Sequence, residues 1–211
     1  NYQNFMLFFT FFLFWFSIQF GKLVEDSVAF VLIVSLGILH GANDLLILSK
    51  GKKSKNISFK HLIIYLAIIV SCITVYLFSS ILAILLFVLL SSYHFGEEHL
   101  GEKITLNRFF NFIYYLSYGI FLFSMLFHES MADVDEIMLE LTDTTFTSFQ
   151  IEISLIVSST ILVLFSLYLV LKKRIEIQII LKEVFYLGLL FLVFKTSSLI
   201  LSFAIYFVLW H

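Results

Sequence analysis

Long apolar segments alternate with short polar ones along this chain. Seven of these segments reach or approach a length of about 17 to 25 residues, which a helix needs to cross the hydrocarbon core of a membrane. An eighth begins near the end of the sequence. The segments are residues 5–20, 28–48, 61–78, 81–95, 109–127, 151–171, 181–194 and 199 onward. The pattern predicts an all-α, polytopic transmembrane bundle of about seven to eight spans, with the last one truncated.

The stretch between the fifth and sixth spans, residues 129–143, is acidic rather than apolar. Its apolar residues recur at helical spacing, which predicts an amphipathic helix at the membrane interface or outside the membrane. They are Met131, Val134, Ile137, Met138 and Leu141.

Composition supports a single integral-membrane domain over residues 1–211. Hydrophobic residues make up 61% of the chain, charged residues 13%, and the mean hydropathy is +1.02. These values lie outside the range of soluble domains. A net charge of -2 offers no basic surface for nucleic acid. One cysteine excludes a disulfide framework and a thiolate metal cluster.

The charges of the loops predict an orientation. Alternating spans place the basic stretches 50–55, 103–108 and 172–174 on one side and the acidic stretch 129–143 on the other. By the positive-inside rule the basic side is cytoplasmic. We therefore expect a multi-pass protein of the inner (plasma) membrane with its N-terminus in the cytoplasm.

A stretch with three polar residues, His40-Gly41-Ala42-Asn43-Asp44, interrupts the second span. Polar side chains inside a membrane are costly and are usually functional. His40 and Asp44 stand one helical turn apart on one face. His40 lies about 12 residues, or about 18 Å, into a span that runs inward, which places it in the cytoplasmic half.

Two further histidines reach a similar depth on other spans. His94 ends the fourth span, and His211 lies about 12 residues into the eighth. His40, His94 and His211 are therefore candidate ligands of one metal ion, since neutral imidazole suits Fe or Zn in a site of low dielectric. Asp44, Glu97 and Glu98 follow His40 and His94 by about one turn, and carboxylates there are candidates to orient the ligand rings.

Other interpretations of these histidines stay open. His40 also fits an interhelical hydrogen bond to a serine or tyrosine. The edge histidines His61 and His128, and His99 in the predicted acidic loop, fit solvated positions. Paired histidines also suit a bis-histidine haem electron carrier. The His40 and Asp44 pair suits an ion- or proton-coupled membrane transporter.

The stretches LGILHGANDL, LSSYHFGEEH and AIYFVLWH together resemble the histidine motifs of the Brp/Blh-type bacterial beta-carotene 15,15'-dioxygenases, in the same order and at plausible spacing. The resemblance implies a carotenoid dioxygenase with non-haem Fe2+ held by His40, His94 and His211. It implies that beta-carotene and dioxygen give two retinal molecules, with a functional link to a retinal-binding rhodopsin. Tyr93 and Trp210 flank the implied ligands and are candidates to line the substrate channel.

The sequence departs from the family pattern at its end. The family has a second histidine one turn after the Trp-His pair, and this sequence stops at His211. We therefore expect the chain to lack one metal ligand and the C-terminal part of the family domain.

Overall fold

The computed structural model of this protein describes residues 2–35, 59–101, 103–104 and 106–210. Those ranges contain helices and short connections and no strand, which confirms the all-α prediction. The helices are α1 Tyr2–Gln19, α2 residues 22–35, α3 Phe59–Phe78, α4 Ser80–Leu100, α5 Arg108–Glu129, α6 Met131–Thr142, α7 Ser148–Leu171, α8 Ile177–Thr196 and α9 Leu199–Ile205, followed by a π-helical turn at Tyr206–Trp210.

Four helices of the described ranges are long and apolar enough to cross a membrane: α4, α5, α7 and α8. Shorter apolar helical stretches cover Asn4–Gln19, Leu66–Phe78 and Leu199–Trp210. The structure thus supports a membrane protein with four candidate spans. The larger number of seven to eight spans stays a prediction.

Polar residues fix where several helices begin. Leu82 donates its backbone N–H to the Ser79 hydroxyl at 3.3 Å, and Phe110 donates its backbone N–H to the Asn107 amide oxygen at 2.9 Å. Each bond satisfies one of the N–H groups that have no partner inside a helix. The chain contains no proline, the residue that most often breaks a helix interior.

Two predicted spans fall short of the helices that contain them by four or more residues at one end. The fourth was predicted at 81–95, but α4 continues to Leu100, so His99 is helical and its placement in a loop was wrong. Glu97 and Glu98 lie in the same helix. The seventh was predicted to begin at 181, but α8 starts at Ile177. An apolar segment ends where charges begin, whereas a helix continues through them because Glu, Gln and Lys are good helix formers.

The acidic segment forms α6, as its periodicity predicts. Val134 and Met138 are buried on its inner face, whereas Ile137 and Leu141 are exposed. The helix ends at Asp143, which adopts a left-handed backbone conformation with φ of 56°, a common way to terminate a helix. Its position relative to a membrane stays a prediction.

The central helix is α5. More than half of its apolar window, 56%, is buried, against 11–28% for the other three candidate spans. It crosses α4 at backbone contact: a methyl group at Gly96 would collide with the Tyr115 carbonyl, and one at Gly119 with the Ser92 backbone. Small residues allow such close packing between apolar helices. This contact fixes the part of α4 that carries the histidines.

Three contacts join the ends of neighbouring helices at one end of the bundle. Lys22 after α1 pairs with Asp133 on α6 at 2.6 Å. Near the end of α3, Tyr76 donates to the Leu141 carbonyl at 3.1 Å. The predicted alternation of spans, which stays a prediction, places these connections on a common side. Which side faces the cytoplasm stays a prediction.

Glu25 on α2 forms the third contact at this end. Its buried carboxylate accepts the backbone N–H of Ser198, the N-cap of α9, at 2.7 Å. Burial raises the pKa of the Glu25 carboxyl, and the Ser198 bond only partly opposes this. The adjacent Asp26 accepts the Ser198 hydroxyl at 2.5 Å. Two neighbouring carboxylates thus hold the start of α9.

Candidate functional site

The last two turns of α4 carry His94, Glu97, Glu98 and His99. They remain helical because α4 and α5 meet at Gly96 and because Gly101 donates its backbone N–H to the Glu97 carbonyl at 2.8 Å. His99 follows His94 by five positions, which puts the two side chains on different faces of the helix.

The side chain of His94 is exposed. It stands two residues from both Ser92 and Gly96, the residues of α4 that meet α5. Two residues correspond to about 200° of helical rotation, so His94 lies on the side of α4 opposite α5. His94 therefore takes no part in the packing of α4 against α5.

The carboxylate of Glu97, a candidate to orient a ligand ring, has another partner. Tyr93 donates its hydroxyl to Glu97 Oε1 at 2.8 Å. The Tyr93 ring, a candidate channel residue, packs at 5.3 Å from the ring of Phe112 on α5. Glu98 is exposed on the same turn. The orienting roles of Glu97 and Glu98 stay predictions.

Trp210 lies in the core, with 6% of its surface exposed. Its indole N–H donates to the Thr10 hydroxyl on α1 at 3.1 Å, and its ring meets Tyr186 of α8 edge-on at 5.1 Å. These contacts hold the chain between α1 and α8 immediately before His211. A channel role for Trp210 stays a prediction.

The turn that ends at Trp210 is π-helical, from Tyr206 to Trp210. A π turn takes one residue more per hydrogen-bonded turn than an α-helix, so it changes the direction of the residues that follow. Such turns are rare in proteins as a whole, but those that occur are often at functional sites. Here the turn directly precedes His211, a predicted ligand.

The predicted histidine triad falls largely outside the described residues. His40, Asp44 and His211 all lie there, whereas His94 is described. Within the ranges that the structure describes, no group of three His, Cys, Asp or Glu side chains is placed to hold a metal. The triad therefore stays a prediction, with His94 as its one described member.

A polar cluster that the sequence analysis missed joins α4 to α8. One Glu183 oxygen lies 2.5 Å from His99 Nε2, and the other accepts from Lys103 Nζ at 2.9 Å. The side chains of His99 and Glu183 are only 9% and 12% exposed. Because removing ions from water is costly, a nearly buried carboxylate needs such partners.

One sequence signal could have indicated this cluster. Glu183 is the single carboxylate within α8, between Ile177 and Thr196. An ionisable residue within an apolar span usually has a specific partner. His99 was predicted to be solvated because the apolar segment ends before it, and the structure shows that this was wrong.

Two buried tyrosines pack against this part of α4. The ring of Tyr118 stacks on His99, with ring centroids 4.9 Å apart and planes 11° from parallel. The ring of Tyr206 packs edge-on against Phe95 at 5.1 Å. The hydroxyls of Tyr118 and Tyr206 are both buried and have no hydrogen-bond partner in the described part of the chain. Since buried hydroxyls are normally bonded, both need an explanation.

Two cavities lie beside α5 with mostly apolar walls. The larger, about 640 Å³, is bounded by α4, α5, the α6–α7 connection and α7, with Leu85, Phe123 and Phe146 among its walls. The smaller, about 330 Å³, lies between α5, α7 and α8, and its walls include Tyr118 and Glu183. Both volumes fall within the range of about 300–1,000 Å³ typical of ligand pockets.

Comparison with known protein families matches residues 31–211 to the family described as beta-carotene 15,15'-dioxygenase. The matched range contains all the residues that carry the histidine motifs. No curated protein and no solved structure matches the chain.

Proposed function

Since this chain belongs to the beta-carotene 15,15'-dioxygenase family, we propose that it cleaves beta-carotene at the central 15,15' double bond with dioxygen and releases two retinal molecules. The family match over residues 31–211 is the observation that carries the proposal. In the overall reaction one C=C bond and the O–O bond break and two C=O bonds form, so no proton is gained or lost.

We propose that Fe2+ is the cofactor and that His40, His94 and His211 hold it. The one described member fits this role, because the imidazole of His94 is exposed on the side of α4 opposite α5 and imidazole is a suitable ligand for iron. Iron held by His40, His94 and His211 would activate dioxygen.

The apolar surroundings suit a hydrocarbon substrate. Beta-carotene dissolves in the bilayer and has no polar group to hydrogen-bond, so its binding depends on apolar contact. The cavity of about 640 Å³ shares α4 with His94 and is lined mainly by aliphatic and aromatic side chains. We propose that the polyene reaches the site from the bilayer, in which it dissolves.

The proposed products suggest a membrane setting and a partner. Retinal is apolar and would remain in the bilayer, and we propose that the enzyme lies in the inner membrane and supplies a retinal-binding rhodopsin. Many large apolar side chains are exposed on α1, α3 and α7, including Phe8, Leu77 and Leu171. Such surfaces suit contact with lipid.

The test uses the full-length natural protein in cells that make beta-carotene. Wild type is compared with His40→Ala, His94→Ala and His211→Ala, with retinal measured by chromatography and iron measured in the purified proteins. We expect wild type to produce retinal and bind iron, and each variant to lose both. His128→Ala is the control, since His128 is exposed at the distal end of α5 next to Glu129.

Each alternative has its own outcome. Beta-carotene that persists in cells with folded wild type, without retinal, would contradict the dioxygenase. Iron content that is unchanged in all three variants would contradict the ligand assignment. A Soret band in purified wild type would indicate a haem carrier instead.

A further inference from the structure

The cavity of about 640 Å³ beside α5 is open along α4. Ile81, Leu85 and Leu89 of α4 line it, and these side chains are 39%, 41% and 44% exposed. Only 17% of the apolar window of α4 is buried, so this helix lies at the outside of the bundle. For a helix that crosses a membrane, the outside is lipid hydrocarbon. A molecule dissolved in the bilayer can therefore enter the cavity beside α4.

Polar side chains of the cavity wall bond to the protein itself. The hydroxyls of Ser124 and Ser154 lie 2.8 Å apart, and the side chain of Gln150 accepts the Thr147 backbone N–H at 2.9 Å. None of the described residues that line this cavity holds a buried polar atom without a partner. An occupant therefore needs no polar group, which suits a pure hydrocarbon.

The charge of α6 bears on the kind of occupant. This helix contributes Met138 to the cavity wall and has four carboxylates and no basic residue. Lys22 pairs with one of the four, Asp133. The headgroup of an anionic phospholipid at this end of the cavity would meet charges of its own sign, which is unfavourable. A neutral hydrocarbon has no headgroup, so the charge of α6 favours it.

The shape of the cavity suits the end of a rigid molecule. Its walls on α4 extend from Ile81 to Leu89, or about 12 Å along the helix, which is shorter than an extended carotenoid. Three aromatic rings line it, those of Phe123, Phe127 and Phe146. A conjugated polyene is stiff and loses less conformational freedom on binding than a saturated acyl chain does. The cavity therefore suits one end of a carotenoid better than the chain of a lipid.

The cavity lies apart from the predicted iron ligand on α4. Leu85 precedes Ser92, which meets α5, by seven positions, or about two helical turns. The cavity walls of α4 are therefore on the α5 side of this helix, whereas His94 is on the opposite side. An occupant of the cavity is not placed for cleavage at His94, so binding there is a separate step from the proposed reaction.

We infer that this cavity is an uptake site, which binds one end of a neutral carotenoid hydrocarbon from the bilayer before the carotenoid reaches the proposed iron. The identity of the occupant rests on the proposed function. The aldehyde product fits less well, because its carbonyl oxygen seeks a donor and the hydroxyls of Ser124 and Ser154 already bond to each other. An uptake site of this kind lowers KM for the carotenoid and leaves kcat unchanged.

The experiment uses the purified full-length natural protein with beta-carotene in detergent without dioxygen, so that no cleavage occurs. Beta-carotene is achiral, and its visible absorption band shows circular dichroism only when a chiral site binds it. We expect wild type to induce this signal and Leu85→Trp, which fills the cavity, to reduce it about tenfold. With dioxygen present, KM of Leu85→Trp should rise about tenfold while kcat stays at the wild-type value.

Leu86→Trp is the matched control. Leu86 follows Leu85 on α4 and is similarly exposed, but it does not line the cavity. We expect this variant to keep the circular dichroism and the KM of wild type. The unfolding midpoint of each variant shows whether it is folded, and Leu89→Trp fills the cavity from a second wall position if Leu85→Trp unfolds. His94→Ala should keep the signal, since His94 lies on the other side of α4.

Three results would overturn the inference. The signal is absent in wild type, or Leu85→Trp and Leu89→Trp both keep the wild-type signal and KM, or His94→Ala loses the signal, which would place the bound carotenoid at the iron. A phospholipid that co-purifies with Leu86→Trp but not with Leu85→Trp would assign the cavity to a lipid instead.

The uptake site and the proposed function can fail separately. A wild type that makes no retinal but shows a signal that Leu85→Trp abolishes would refute the proposed function and support the uptake site. A Leu85→Trp variant that makes retinal with the kinetics of wild type would refute the uptake site and leave the proposed function in place.

Discussion

The Glu183 carboxylate on α8 lies 2.5 Å from the imidazole Nε2 of His99 in the last turn of α4. This pair joins two helices, and its two residues are 84 positions apart in the sequence. Because the side chains are nearly buried, the pair links the geometry of the His94-bearing helix to α8. The contact is therefore a determinant of both stability and site geometry.

Glu183→Gln tests this contact. The neutral amide leaves His99 and Lys103 without their carboxylate, and we expect a loss of about 3 kcal/mol in the free energy of unfolding. Glu152→Gln is the control, since Glu152 is an exposed glutamate on α7. The measurement is the thermal unfolding midpoint in detergent. Equal midpoints for the two variants would show that the pair contributes little.

Gly96→Ala and Gly119→Ala test the crossing of α4 and α5. At each position a methyl group would meet the backbone of the facing helix, so the helices must separate. We expect a fall of several degrees in the unfolding midpoint and less retinal from Gly96→Ala. In Gly188→Ala, by contrast, the new methyl group meets nothing within 4 Å. Alanine is a better helix former by about 1 kcal/mol, so this control should be as stable as wild type or more so.

The bond between Trp210 and Thr10 can be measured by a double-mutant cycle. Thr10→Val and Trp210→Phe each remove one partner of the 3.1 Å bond. We expect a coupling free energy of about 1 kcal/mol from the unfolding midpoints of the two single variants and the double variant. Additive losses would show that the bond does not anchor the π turn to α1.

The buried carboxyl of Glu25 should make the free energy of unfolding depend on pH. Its pKa is raised by burial, so the folded state binds the proton more tightly than the unfolded state does. The stabilising contribution of the protonated carboxyl is complete below the ordinary pKa of 4.5 and is lost as the pH rises through the raised pKa.

We therefore expect Glu25→Gln, which keeps an acceptor for Ser198, to gain stability relative to wild type as the pH increases from about 4.5 to 7. The unfolding midpoints of the two proteins across that range give the difference. Glu140→Gln controls for a change of charge alone, since Glu140 is exposed on α6. A difference between wild type and Glu25→Gln that is constant with pH would contradict the assignment.

Local patterns predicted the elements of this protein well. Apolar runs indicated helices at α4, α5, α7 and α8, and the spacing of apolar residues such as Val134 and Met138 indicated α6. These features depend on neighbours in the sequence and on the hydrocarbon length that a helix must cross, so no tertiary information is needed. The family resemblance also rests on local motifs, and the family match confirms it.

Contacts between residues that are distant in the sequence could not be predicted from local patterns. The sequence by itself determined that the chain is helical and apolar and that its histidine motifs are those of a dioxygenase family. Only the tertiary structure decided that α4 continues past the apolar run, that α5 packs on the side of α4 opposite His94, and that Glu183 is the partner of His99. A pairing between distant residues depends on how helices cross, here at Gly96 and Gly119, and periodicity along one helix carries no information about that crossing.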